Sequence, residues 1–196
     1  RDVIISDTVG TIFLQATSNL DLNIDLSWND YLGWEGDLYL FRNVNESWET
    51  NPFSVLGYSV NFIRDDIAPY LKSLGKFCYY IKARKFTDPA IESNSNIACA
   101  VQEPKLYVPT AFSPNDDGLN DTFLPVNIFV DPENYSMIIY DRWGNHIFES
   151  THPEIGWDGR VNGKSIASVG IYAYHIKFIA TNGLKFEKTG SISLIK

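Results

Sequence analysis

The chain has 196 residues, 44% hydrophobic and 14% aromatic, with 16 basic against 24 acidic side chains. A net charge of −8 argues against a nucleic-acid surface, whose phosphates demand lysine and arginine, and the apolar content argues against a disordered chain. No run approaches the roughly 20 apolar residues of a membrane-spanning helix. The length suits one large domain or two of about 100 residues.

The opening stretch RDVIISDTVG lacks a basic segment followed by an apolar one, so it does not read as a secretion leader. The expectation is a mature chain or a piece of a longer one. Short extended runs follow, separated by turn residues every 8–12 positions, which is the pattern of sandwiches and barrels. Leu22, Ile24 and Leu26 alternate with Asn23 and Asp25, Trp28 ends that strand, and Leu38 to Phe41 form the next. Only DDIAPYLKSLG (65–75) has room for a helical turn, bounded by Pro69 and Gly75. Cys78 and Cys99 lie in two extended runs set out like neighbouring antiparallel strands. The alternatives are a disulfide, contributing about 3 kcal/mol by loop closure, or two buried thiols. A disulfide would place the chain outside the cytoplasm. Trp34, Trp48 and Tyr58 are candidates for a ligand-binding patch if exposed together and for core packing if dispersed. This half resembles a fibronectin type III or immunoglobulin-like module. In such a module the Leu71–Phe77 spacing would be a tyrosine corner, with phenylalanine removing the usual hydroxyl bond.

Pro104 and Pro109 mark a boundary, giving expected domains of 1–103 and 104–196, with charge balances of −6 and −2. In the second half LYVPTAF, FLPVNIFV, YSMIIYD, GNHIFES, IYAYHIKFI and LKFEKTGSISLIK read as strands, and Thr181-Asn182-Gly183 as a tight hairpin turn tolerating positive φ. The fold class is therefore all-β, two tandem antiparallel β-sandwiches. Asn115, Asp116, Asp117, Asn120 and Asp121 crowd oxygen-bearing side chains around Gly118. Either these form Asx turns on their own backbone, or Asn115, Asp117 and Asp121 are calcium ligands. No other cofactor is expected. Trp143 and Trp157 sit in turns, as packing residues or as a sugar-stacking pair. His146, His152 and His175 lack metal-site spacing, and adjacent carboxylates such as Asp65-Asp66 and Asp116-Asp117 are placed in loops, poor material for acid–base work. No nucleophile elbow or phosphate-cradling loop is present. The expectation is a chain that is not an enzyme.

Four runs occur in a fixed order: VPTAFSPNDDGLNDTF (108–123), IIYDRWGNHIFES (138–150), GWDGRVNGK (156–164) and GIYAYHIKFIATNG (170–183). With the ending KTGSISLIK they resemble the gliding motility-associated C-terminal domain of Bacteroidota, the type B signal of the type IX secretion system. The resemblance implies a secreted, surface-located protein such as a large gliding adhesin. It also implies passage through the outer-membrane translocon with help from a PorP/SprF-type outer-membrane protein. It places the signal in the last strands, at Lys185, Lys188, Gly190, Ser191, Ile192, Leu194 and Lys196. Residues 177–196 carry four lysines and one acid, Glu187, so they are locally +3. A basic hairpin of this kind either steers onto an acidic partner or is an ordinary solvated face. Where the family has a Pro-x-Gly turn, this chain reads Ala167-Ser168-Val169-Gly170, so that turn is expected to be looser.

Overall fold

The computed structural model describes residues 10–196; residues 1–9, on which most of the N-terminal reading rests, lie outside them. The chain divides into two compact units, one holding the chain up to Leu71 with Gly75–Gln102, the other Lys72–Leu74 with Glu103–Lys196. Both are built from strands. The helical turn anticipated in 65–75 is a single 3₁₀ turn, Ala68–Tyr70.

The first unit contains β1 (Leu14–Ser18), β2 (Asn23–Trp28), β3 (Gly36–Val44), β4 (Ser47–Trp48), β5 (Ser54–Gly57), β6 (Phe62–Asp66), β7 (Lys76–Lys85), β8 (Glu92–Asn94) and β9 (Ala98–Val101). One sheet runs β1-β2-β6; the other is built on the antiparallel β3–β7 pair, extended by β4, β5, β8 and β9. The period of two decides the faces. Ile24, Leu26 and Trp28 from the first sheet meet Leu38, Leu40, Phe77, Tyr79 and Ile81 from the second, all buried. Leu22 falls just before β2 with φ of 62°, so it precedes the strand and does not share its regular alternation.

Arg42 occupies the next inward position after Leu38 and Leu40, so a guanidinium enters this core. Its Nη1 donates to both oxygens of Asp65 at 2.8 and 2.9 Å, its Nε and Nη2 to Glu49 Oε1 at 3.0 and 2.8 Å, and Nη2 also to the Tyr70 hydroxyl at 2.6 Å. Tyr79 closes the ring of bonds by donating to Asp65 Oδ2 at 2.8 Å. The guanidinium also lies over the rings of Phe53 and Tyr70, 5.0 and 4.5 Å from their centroids. Asp65 and Asp66 thus belong to the end of β6 and not to a loop: Asp65 is buried, Asp66 exposed. At the expected tyrosine corner Phe77 is fully buried; the phenol making the structural bond in this region is Tyr79.

The second unit contains β10 (Lys105–Tyr107), β11 (Ala111–Phe112), β12 (Val126–Ile128), β13 (Ser136–Tyr140), β14 (His146–Ser150), β15 (Arg160–Val161), β16 (Ser165–Ile166), β17 (Gly170–Ile179) and β18 (Lys185–Leu194). Its main sheet runs β11-β18-β17-β13-β14, antiparallel except that β11 lies parallel to β18; β10 pairs with β12, and β15 with β16. Tyr172, Tyr174, Ile176 and Phe178 alternate inward along β17 and join Met137, Ile139, Ile147, Ile192 and Leu194 in one core. Each such side chain, fully buried, contributes roughly 1.5–3 kcal/mol.

Two local expectations change. The run 123–130 yields only a short strand, Val126–Ile128; Phe123 instead bridges to Trp157, and Phe129 turns with φ of 56°. Of Thr181, Asn182 and Gly183 only the glycine has positive φ, at 81°. The β17–β18 hairpin therefore closes through a three-residue loop, with Gly183 N donating to Ala180 O and Ala180 N to Leu184 O. The Asn-Gly signal operates elsewhere, at Asn162-Gly163, where φ of 49° and 70° make the tight turn between β15 and β16.

Candidate recognition surface

Cys78 and Cys99 are bonded, and they stand directly opposite each other in the β7–β9 pair with Cα atoms 4.0 Å apart. The loop aromatics of the first unit do not form one patch. Trp34 packs edge-on against Tyr31, and the Tyr58 amide bonds Gly36 O at the start of β3. Trp48 pairs with Asn43 near the far end of β3 and packs against Tyr80. Seven residues of strand, roughly 23 Å, separate the two places.

In the second unit the motif runs converge on an aromatic cluster. Phe112 and Phe123 come from the first run, Trp157 from the third, Tyr172 and Tyr174 from the fourth; ring centroids lie 4.9 to 6.2 Å apart along this chain of contacts. Trp157 is completely buried and donates from Nε1 to Arg160 O at 2.8 Å. It is a packing residue and forms no sugar-stacking pair with Trp143. Trp143 is 72% exposed on the β13–β14 turn, with the Arg142 guanidinium over its ring. The turn in place of Pro-x-Gly is tethered: the Tyr172 hydroxyl donates to Ser168 O at 2.6 Å, and Ala167 N donates to Gly159 O.

The acidic loop directs its oxygens at its own backbone. Asp121 Oδ1 accepts from the amides of Asn115 and Asp116, and Oδ2 from that of Gly118, at 2.7–3.0 Å. Asp117 Oδ1 accepts from Leu119 N, its Oδ2 from Asn115 Nδ2, and Asn115 Oδ1 accepts from Asp117 N. This is the geometry of nested Asx turns. Among the described residues no group of three or more His, Cys, Asp or Glu side chains is arranged to hold a metal ion. Partial desolvation raises the Asp121 pKa, but the amides of Gly118, Asp116 and Asn115 outweigh it and hold the carboxyl below the usual carboxylate range. Asp141 is likewise held low, first by its bond to Asn145 and then by backbone amides. The histidines are scattered: His146 Nε2 lies 3.0 Å from Phe148 O, His152 Nδ1 accepts from Glu154 N, and His175 meets Glu187.

The seven residues assigned to the signal separate into two sets. Ile192 and Leu194 are buried core side chains. Lys185, Lys188, Gly190, Ser191 and Lys196 are exposed. Gly190 lies opposite Tyr174 in the β17–β18 register, and a Cβ there would collide with the Tyr174 ring. The lysines do not share a face. Lys185 and Lys177 point outward with Glu187, whereas Lys188 sits on the core side of the strand and reaches Leu106 O at 3.5 Å. Glu187 is bonded to His175 and lies 3.6 Å from Lys177, and both hold its carboxyl below the ordinary range, His175 more than Lys177.

Residues 106–194 match the family model of the CHU_C Type IX secretion signal domain. The matched region runs from β10 to the end of β18 and includes the aromatic cluster, the acidic loop and the terminal hairpin. No curated protein matches the chain. Among solved structures, a pectate lyase Pel3 from Pectobacterium carotovorum is similar over 54% of this chain and 34% of its own, at 14% identity and a TM-score of 0.39. A tetra-tandem repeat from the extending region of a large adhesion protein is similar over 94% of this chain and 50% of its own, at 11% identity and a TM-score of 0.42. The FN1–FN3 domains of chicken CNTN1 are similar over 96% and 67%, at 14% identity and 0.37. The chain thus spans a third to a half of the first two. At these identities and TM-scores the likenesses say nothing of what this chain binds.

Proposed function

We propose that the second unit is an export address, read by the type IX secretion system, that delivers the protein to which it is joined to the outer face of the outer membrane. The match of residues 106–194 to the secretion signal family carries this reading. The unit acts by being recognised, and neither unit is a catalyst. The protein is an adhesin-like surface protein of the kind used in gliding, and a PorP/SprF-type outer-membrane protein assists its passage. The Cys78–Cys99 bond supports a destination outside the cytoplasm, where disulfides persist.

The test is a folded reporter joined ahead of the 196-residue chain in a type IX-competent cell. Surface display is expected for the full chain and not for a version ending at residue 103. A folded full-length fusion that stays inside the cell overturns the reading.

A further inference from the structure

We infer that the free edge of β18 is where the export machinery docks, by laying one extended, acid-rich strand of its own along Lys185–Ser191 as a further strand of the sheet. This rests on the secretion reading above. Among the described residues only the last ones of β18 have a strand partner on that side: Ala111 and Phe112 of β11 pair with Ser193 and Leu194. Ser193 N donates to Thr110 O and Ile195 N to Phe112 O, which fixes the odd-numbered positions as those facing away from β17. By the same alternation Lys185, Glu187, Thr189 and Ser191 turn their amides and carbonyls outward, where no backbone group among the described residues pairs with them. All four residues are exposed.

Such a row of unpaired groups is a template for another strand, and folded proteins usually blunt it with bulges, prolines or short strands. The opposite edge of this sheet is treated that way: β14 has five residues, and its register against β13 slips between Ile139 and Tyr140. β18 has ten residues, no proline and an unbroken register with β17 from Gly170–Leu194 to Ile179–Lys185. What it carries is charge. Lys185 and Lys188 lie on it and Lys196 just beyond its end, against a single acid, Glu187, in a chain of net −8. An acidic strand would be drawn in by this local excess of positive charge.

Thr189→Pro tests the edge directly, because it removes one outward N–H and leaves the bonds of Lys188 and Gly190 to β17 in place. In the reporter fusion of the whole chain, Thr189→Pro is expected to fold and to lower surface display at least about tenfold, while Thr189→Ala exports normally. Lys185→Glu is expected to lower display as well. Normal export of folded Thr189→Pro overturns strand addition, and normal export of Lys185→Glu overturns the acidic character of the added strand. Failure of the unmodified fusion would instead strike the secretion reading itself. If Thr189→Pro does not fold, a photo-crosslinking side chain at 189 or 191 replaces it. Crosslinks to the machinery from these edge positions and none from Ala173, in the middle of the sheet, are expected; equal crosslinking from all three, or none from any, overturns the inference.

Discussion

Arg42 shows what a charged side chain needs in order to sit in a sandwich core. Its donors are met by Asp65, Glu49 and Tyr70, and its flat faces are covered by Phe53 and Tyr70. Removing Asp65 leaves the buried guanidinium with only Glu49 as counter-charge and takes the acceptor from Tyr79, so Asp65→Ala is expected to destabilise the first unit by about 3 kcal/mol. The double change Arg42→Met with Asp65→Leu should recover much of that loss; urea unfolding of the three proteins checks both. Asp121 and Asp141 act through ionisation. Their folded pKa values lie below those of the unfolded chain, so their contribution is present above the ordinary carboxylate pKa of about 3.9 and disappears as pH falls through the lower folded value. The second unit's melting temperature is therefore expected to drop steeply below about pH 4. Asp121→Asn should flatten that slope, and a calcium chelator should leave the melting temperature unchanged at neutral pH. A chelator-induced drop would show the loop to be a cation site.

At the level of elements, the alternation of side chains made most strands legible. Ile24–Leu26, Leu38–Leu40 and Tyr172–Phe178 each read correctly because one face of each strand is buried and the other is wet or half-buried. The same rule, applied further, would have separated Lys185 from Lys188: an odd spacing on a strand puts two residues on opposite faces. It would also have placed Arg42 inward, two positions beyond Leu40. What alternation could not reveal was the pairing of Arg42 with Asp65, which joins strands from different sheets. Nor could it show that Trp157, in the turn-like run Gly156-Trp157-Asp158-Gly159, is held in the core beside its bridge to Phe123. The disulfide was readable in outline because both cysteines lie in extended runs. Opening it, by Cys78→Ser with Cys99→Ser, is expected to cost about 2–4 kcal/mol. Mass analysis of surface-displayed protein should find no free thiols.

On the scale of the molecule, the second unit gathers residues of its matched region into one core, and that region's order along the chain has a consequence in time. β11 opens the main sheet beside β18, which ends it: Ala111 is hydrogen-bonded alongside Ser193, and Phe112 beside Leu194. Protein chains are made from the N-terminus at about 5–20 residues per second, so Phe112 waits several seconds for the strand that covers it. Until that strand emerges, Phe112, Trp157 and Tyr174 lack Ile192 and Leu194 as neighbours, and the sheet stops at β17. A ribosome that falls off anywhere in that interval leaves a product with an open core. The parallel β11–β18 contact therefore forms last: the main sheet closes only once the chain has been made through Leu194.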